Sequence, residues 1–355
     1  METQVNTIVD EILEEQSNPR PFELHVDQEL FTATELIKAN IESIPHLIEG
    51  LIPQEGLGAL VGGSDVGKST LLRKLAIDII TGRDSFLEFK INAKHKRVLY
   101  VVTEDAVKAI AYLMRKHTIN HVAEELNNLH FLFVSDAREI KKKITDFISI
   151  NPIDLIIIDC YGDLYTKQMN DTQNIRQWFK PYQRISRANK CFILFLHHTG
   201  KGAQYNGADK KNILGGQGFE AKMRVVIELR SDPGGDITKR HLCIVKGNYV
   251  ADNNKTESSV LHFDTEHFDF TDTGERVSFD ELCKKTNDEG RGIFRQIMEC
   301  INSGNNYAQI AIKLGMSKGN VSKKRTAGIA KGWGEEFSGT VSMQETMETK
   351  QETPF

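Results

Sequence analysis

Nine consecutive residues, Gly62-Gly63-Ser64-Asp65-Val66-Gly67-Lys68-Ser69-Thr70, have the types and spacing to hold a triphosphate. They fit the pattern G-x-x-x-x-G-K-[ST]. The glycines let backbone N–H groups turn inward around phosphate oxygens, where a Cβ would obstruct. A helix starting at the end of the run adds the positive end of its dipole. In such a loop Lys68 reaches the β- and γ-phosphates and the Ser69 hydroxyl holds Mg²⁺. The ligands implied are ATP and Mg²⁺.

Three further positions supply polar groups at the ends of apolar runs. Asp159 follows Ile153-Asp154-Leu155-Ile156-Ile157-Ile158. A carboxylate there sits at the carboxyl edge of a sheet, beside the phosphate loop, and holds Mg²⁺ through water. Glu104 and Asp105 follow Arg97-Val98-Leu99-Tyr100-Val101-Val102-Thr103. Either could orient or deprotonate an attacking water, and the longer reach of glutamate favours Glu104. His197 and His198 end Cys191-Phe192-Ile193-Leu194-Phe195-Leu196. One of them can contact a γ-phosphate and report its loss to the segment beyond. A metal site at this pair lacks further ligands nearby in the sequence. The five cysteines, Cys160, Cys191, Cys243, Cys283 and Cys300, are scattered and form no C-x-x-C. They read as small apolar fillers in a reducing cytoplasm, without a disulfide framework or zinc site.

The elements that must position these groups alternate. Residues 57–61 read as a strand and residues 71–80 as a helix. Strands at 97–102, 130–134, 153–159 and 191–198 are separated by helices at 106–116, 140–150 and 172–189, the last expected to break or kink at Pro181. Continuous apolar strands alternating with helices indicate an α/β fold with a mainly parallel, twisted central sheet flanked by helices. Residues 45–53 read as a segment lying over the nucleotide. Residues 200–218, rich in Gly, Lys and Asn, read as a mobile loop. Asp232-Pro233-Gly234-Gly235-Asp236 is a hairpin turn between strands at 225–230 and 241–246, and a second hairpin joins 260–263 to 268–270.

The ordered set formed by residues 62–70, Val101-Val102-Thr103-Glu104-Asp105, Ile156-Ile157-Ile158-Asp159 and Leu196-His197-His198-Thr199-Gly200-Lys201 resembles the RepA-type plasmid helicases. These sit with RecA, the DnaB-like hexameric helicases and AAA-family ATPases of mobile elements. The similarity spans roughly residues 45–270. It implies a RecA-like P-loop core, Glu104 as the catalytic carboxylate, and a histidine of the pair as γ-phosphate sensor. It also implies a homo-oligomer, as in a hexameric ring, with nucleotide between subunits. Arg224 lies where these helicases carry a trans-acting arginine, and Lys246 in Val245-Lys246-Gly247-Asn248 resembles an interface lysine. Lys201, Lys210 and Lys211 lie where such motors touch single-stranded DNA, with Tyr205 as the one stacking aromatic before Phe219.

Outside this core the charge is uneven. Residues 1–34 carry eight acids and one arginine, and residues 291–334 carry eight Lys/Arg and one Glu. The expected layout is an acidic leader and lead-in helix at 1–44, with a short helical face from Val5, Ile8, Val9, Ile12 and Leu13, then an ATPase domain at 45–270 with a C-terminal hairpin extension. A linker at 271–290, a small all-α basic module at 291–334 and a disordered acidic tail at 335–355 follow. The basic module resembles a helix-turn-helix. Gly315 sits at the turn, Ser317 N-caps the second helix, and Val321 meets Ile310 in a little core. Lys318, Asn320, Ser322, Lys323 and Arg325 would face DNA. No apolar run is long enough to span a membrane. The leading expectation is an ATP-driven motor on single-stranded DNA in replication of a plasmid, phage or mobile element. The other is a regulator of duplex DNA whose assembly is switched by ATP.

Overall fold

The computed structural model describes residues 30–118, 123–134, 136–169, 171–283 and 286–334. The acidic leader, its helical face and the acidic tail therefore lie outside the described residues. Two compact units divide the chain, one ending at Leu282 and one beginning at Cys283.

The first unit runs α1 (Ala33–Lys38), β1 (His46–Ile48), β2 (Ile52–Pro53), β3 (Gly56–Gly62), α2 (Lys68–Ile80), β4 (Ser85–Phe86), β5 (Phe89–Lys90), β6 (Val98–Val102), α3 (Val107–His117), β7 (Leu129–Phe133), α4 (Ile140–Ile150), β8 (Leu155–Asp159), α5 (Tyr161–Leu164), α6 (Thr172–Asn189), β9 (Phe192–His198), α7 (Gly216–Glu220), β10 (Val225–Ser231), β11 (Lys239–Gly247), β12 (Glu257–Asp264) and β13 (Asp269–Ser278). Nine strands form one sheet in the order β13-β12-β11-β10-β3-β9-β8-β6-β7. From β10 to β7 every pairing is parallel, and from β10 to β13 every pairing is antiparallel. The inner parallel strands β3, β6, β8 and β9 are buried on both faces, which is why they read as unbroken apolar runs. Helices cover both faces, and the two sides form separate apolar clusters, one around Leu72, Leu75 and Tyr100 and one around Ile158, Phe179 and Phe195. This is a RecA-like P-loop arrangement.

Parallel register brings the carboxyl ends of β3, β9, β8 and β6 together. Gly62 pairs with His198, and Val102 pairs with Asp159. The amino ends form the opposite edge, where Gly56 pairs with Phe192 and the Arg224 N–H donates to Leu57 O at 2.6 Å.

Several expectations need correction. Residues 45–53 form a tight hairpin, not a cover over the nucleotide: Leu47, Ile48, Leu51 and Ile52 are buried, and Ile52 faces Leu71, Leu72 and Leu75 of α2. Helix α6 continues through Pro181. The backbone bond lost at a proline is offset by burial of Phe179 and Tyr182 on either side of it. Residues 271–278, expected in a linker, extend β13, because Ser258 and Ser259 of β12 pair with Val277 and Arg276. A 3₁₀ turn, Phe279–Leu282, then ends the unit.

The second unit contains α8 (Thr286–Asn302), α9 (Tyr307–Lys313) and α10 (Lys318–Ala330). Asn306 and Gln309 form a reciprocal capping box on α9. Gly315 adopts φ 62° at the turn, and the Ser317 side chain accepts from the Asn320 N–H. Ile297, Ile310 and Val321 are fully buried in the small core. Gly328 lies against the Phe294 ring, leaving no room for a Cβ where the helices cross.

Candidate functional site

The phosphate loop joins β3 to α2. Asp65 and Gly67 both take left-handed backbone angles, φ 61° and 92°, which turns successive N–H groups toward one centre. The cradle is tightly fitted: a Cβ on Gly62 would strike the Leu229 carbonyl, and one on Gly67 would come 2.9 Å from the Phe270 ring. Lys68 is 6 % exposed, and its Nζ donates to Gly63 O at 2.6 Å. Burial lowers the pKa of this amine, while nearby Asp159 and Glu104 oppose that shift. A buried cation folded over inward-turned amides fits an anionic phosphate chain. Asp159 accepts from the Tyr100 hydroxyl at 2.7 Å and from the Ser69 side chain, and burial raises its pKa. The paired oxygens of Ser69 and Asp159 suit a hard, oxygen-seeking Mg²⁺.

Glu104 is exposed just beyond β6. Its Oε1 accepts from the Cys160 thiol at 3.1 Å, and a ring nitrogen of His198 lies within 4.8 Å of both groups. Two sequence readings change here. Cys160 is buried but polar-facing, so it is more than apolar filler. The His pair also has potential co-ligands, because β6 and the residue after β8 bring Glu104 and Cys160 beside His198.

The two histidines point to opposite faces, as strand alternation requires. His198 is partly buried on the side of Lys68, Glu104 and Asp159, and burial with Lys68 nearby lowers its pKa. His197 is 1 % exposed and packs edge-on against Tyr161 at 4.9 Å. Its Nε2 lies 2.9 Å from Leu214 O, so this nitrogen carries the proton; burial lowers its pKa to about 4. Of the pair, His197 ties β9 to the following loop, and His198 is the one that lies on the side of Lys68, Glu104 and Asp159.

That loop, read from sequence as mobile, is tied to the sheet at several points. Leu214 N–H donates to His198 O, and Gly200 N–H donates to Asn212 O. Arg230 donates to Ala203 O at 3.0 Å and Asn206 O at 2.7 Å, and pairs with buried Glu228 at 2.5 Å. Asn212 reaches the same Glu228 carboxylate at 3.4 Å. Lys201, Lys210 and Lys211 remain exposed, as does Tyr205, although Lys210 also approaches Glu220 at 3.6 Å.

Arg224 and Lys246 occupy the opposite edge of the sheet. Arg224 immediately precedes β10, and Val226 pairs with Lys246. The length of β3, seven residues, separates this edge from the phosphate loop by about 20 Å at ~3.3 Å per residue. Neither side chain reaches the phosphate loop of its own chain. Lys246 donates to Glu220 O at 2.7 Å and pairs with its carboxylate at 3.0 Å. In the second unit Lys318, Asn320, Ser322 and Lys323 are exposed, but Arg325 is partly buried.

Supporting residues escaped the sequence reading because they come from distant strands. Arg240 of β11 is buried, donates to Val66 O at 2.9 Å, and stacks 5.1 Å from the Phe263 ring centre. Tyr100, Phe270 and the Glu228–Arg230 pair likewise brace the site. Only Tyr100 left a usable signal, a lone polar tip within an apolar strand.

Fold and site together define a P-loop ATPase. The AAA domain family profile matches residues 20–204, more than half of the chain, and the chain belongs to that family. Among solved structures, the ATPase domain of another protein is similar at 13 % identity and a TM-score of 0.49, covering 75 % of this chain and 97 % of that one. The search of curated proteins gave no match. Among the described residues, no helix is long and apolar enough to cross a membrane.

Proposed function

We propose that the protein is an oligomeric, ATP-hydrolysing DNA motor of the RepA/DnaB-like kind, acting as a helicase in replication of a plasmid, phage or mobile element. Lys68 and the loop amides grip ATP, Ser69 and Asp159 hold Mg²⁺, and Glu104 activates water. Arg224, with Lys246 beside it, completes the site of the next subunit and neutralises developing charge on the transferred phosphoryl group. The observation that carries this reading is the separation of the two edges: the phosphate grip lies at one end of β3 and Arg224 at the other. Head-to-tail assembly brings one edge of a copy to the opposite edge of the next and closes as a ring, six-membered in the family that the motifs resemble.

On this reading His198 senses the γ-phosphate, and β9 passes its loss to residues 200–214 through the Leu214 bonds. Lys201, Lys210, Lys211 and Tyr205 on that loop track single-stranded DNA. The work is done in a reducing cytoplasm, in keeping with five free cysteines. ATP turnover with and without single-stranded DNA, together with strand displacement, tests the reading. Stimulation and displacement are expected; an assembled oligomer showing neither contradicts it.

A second reading is favoured by the exposed Lys318, Asn320, Ser322 and Lys323 at the start of α10. There the second unit reads duplex DNA, and ATP only switches assembly. Sequence-specific footprinting that survives Lys68→Ala would support it over the motor.

A further inference from the structure

We propose that Glu104, Cys160 and His198 form a binding site for a thiophilic divalent cation of the zinc class, and that occupancy holds Glu104 away from water. The ligand atoms, a carboxylate oxygen, a sulfur and an imidazole nitrogen, all lie within 4.8 Å of one another. Sulfur and carboxylate are already 3.1 Å apart. Donors around a tetrahedral zinc stand about 3.5 Å apart, so small rotations of exposed Glu104 and partly exposed His198 close the set.

The mixture of donors decides the metal class. Thiolate with imidazole selects zinc-like ions, whereas Mg²⁺ takes oxygen and stays with Ser69 and Asp159. The ion would displace the Cys160 thiol proton to solvent and take the sulfur that now donates to Glu104. Asp163 Oδ2, 3.6 Å from the same sulfur, adds negative charge beside the site. Three protein ligands leave a fourth position for water.

Binding of the ion stands on this geometry alone; its inhibitory effect rests on Glu104 being the water-activating group. The probe is Co²⁺ added to the full chain in excess Mg²⁺. One equivalent should bind with a thiolate-to-cobalt charge-transfer band, and Zn²⁺ should displace it. Cys160→Ser should abolish the band, and His198→Asn should weaken Co²⁺ binding by at least about tenfold. Absence of the band in the parent chain, or its survival in Cys160→Ser, overturns the site. Zn²⁺ should also slow ATP turnover in a way that a chelator reverses, with each variant compared to its own zinc-free rate. Full turnover with the cobalt-binding position occupied by zinc overturns the inhibitory effect. A chain that turns over no ATP but shows the band fails the motor reading and keeps the metal site.

Discussion

The two edges of one sheet are built differently. At the carboxyl edge, Lys68, Asp159, Glu104 and His198 converge within a shell of Tyr100, Arg240 and Phe270. At the amino edge, Arg224 and Lys246 stand beside Gly56 and Glu220, far from the phosphate grip of the same chain. The first edge is braced by partners from several strands and can bind a ligand by itself. The second has cations without a substrate. Bracing at the carboxyl edge serves binding; on the proposed reading Arg224 serves a neighbouring copy, while Glu220 holds Lys246 in place beside it.

The largest expected effect lies at the braced edge. Lys68→Ala removes the buried cation and should abolish both ATP retention and turnover, read by equilibrium binding and phosphate release. Arg224→Ala should spare ATP binding yet lower turnover of the assembled protein by ~10³-fold, the usual worth of a trans-acting arginine. Equal loss of binding in both variants would erase the distinction between the edges.

Glu104→Gln sharpens the picture within the carboxyl edge. It keeps the shape and removes the base, so turnover should fall by ~10²–10⁴-fold with ATP affinity maintained. Tyr100→Phe is milder. It deletes the hydroxyl donor to Asp159, which should weaken Mg²⁺-dependent ATP binding by roughly 1–2 kcal/mol, seen as a raised Mg²⁺ requirement.

The smallest effect concerns His197, which holds the loop rather than the phosphate. Its folded pKa of about 4 lies below the unfolded 6.5, so the unfolded chain binds the proton first. Its contribution is present above pH 6.5 and is lost as pH falls toward 4. The thermal unfolding temperature should fall as pH is lowered across that window, and His197→Asn should flatten the slope relative to the parent chain. An unchanged slope would mean that this ring does not govern the acid response.

Much of the carboxyl edge was legible because a phosphate loop needs small residues, a lysine and a hydroxyl within one short run. Strand ends likewise mark themselves where an apolar run stops at Glu104, Asp159 or His198. The bracing was not legible. Arg240 and Val66 are 174 residues apart and meet only through the antiparallel extension of the sheet. Cys160 looked like filler because sequence gives burial but not the direction of a thiol. His197 and His198 could not be separated until strand pairing fixed which face each one takes. The length of β13 was missed because its outer residues are polar, as an edge strand allows.

The central claim, that each site draws its cation from the next copy, is tested most directly by mixing two inactive variants. Lys68→Ala lacks the phosphate grip but carries Arg224; Arg224→Ala has the grip but lacks the cation. Mixed in equal amounts and allowed to exchange subunits, they should recover about a quarter of parental ATP turnover, since half the grips remain intact and half of those meet an intact arginine. Turnover no greater than the sum of the separate variants after verified subunit exchange, or a fully active Arg224→Ala protein alone, would contradict it.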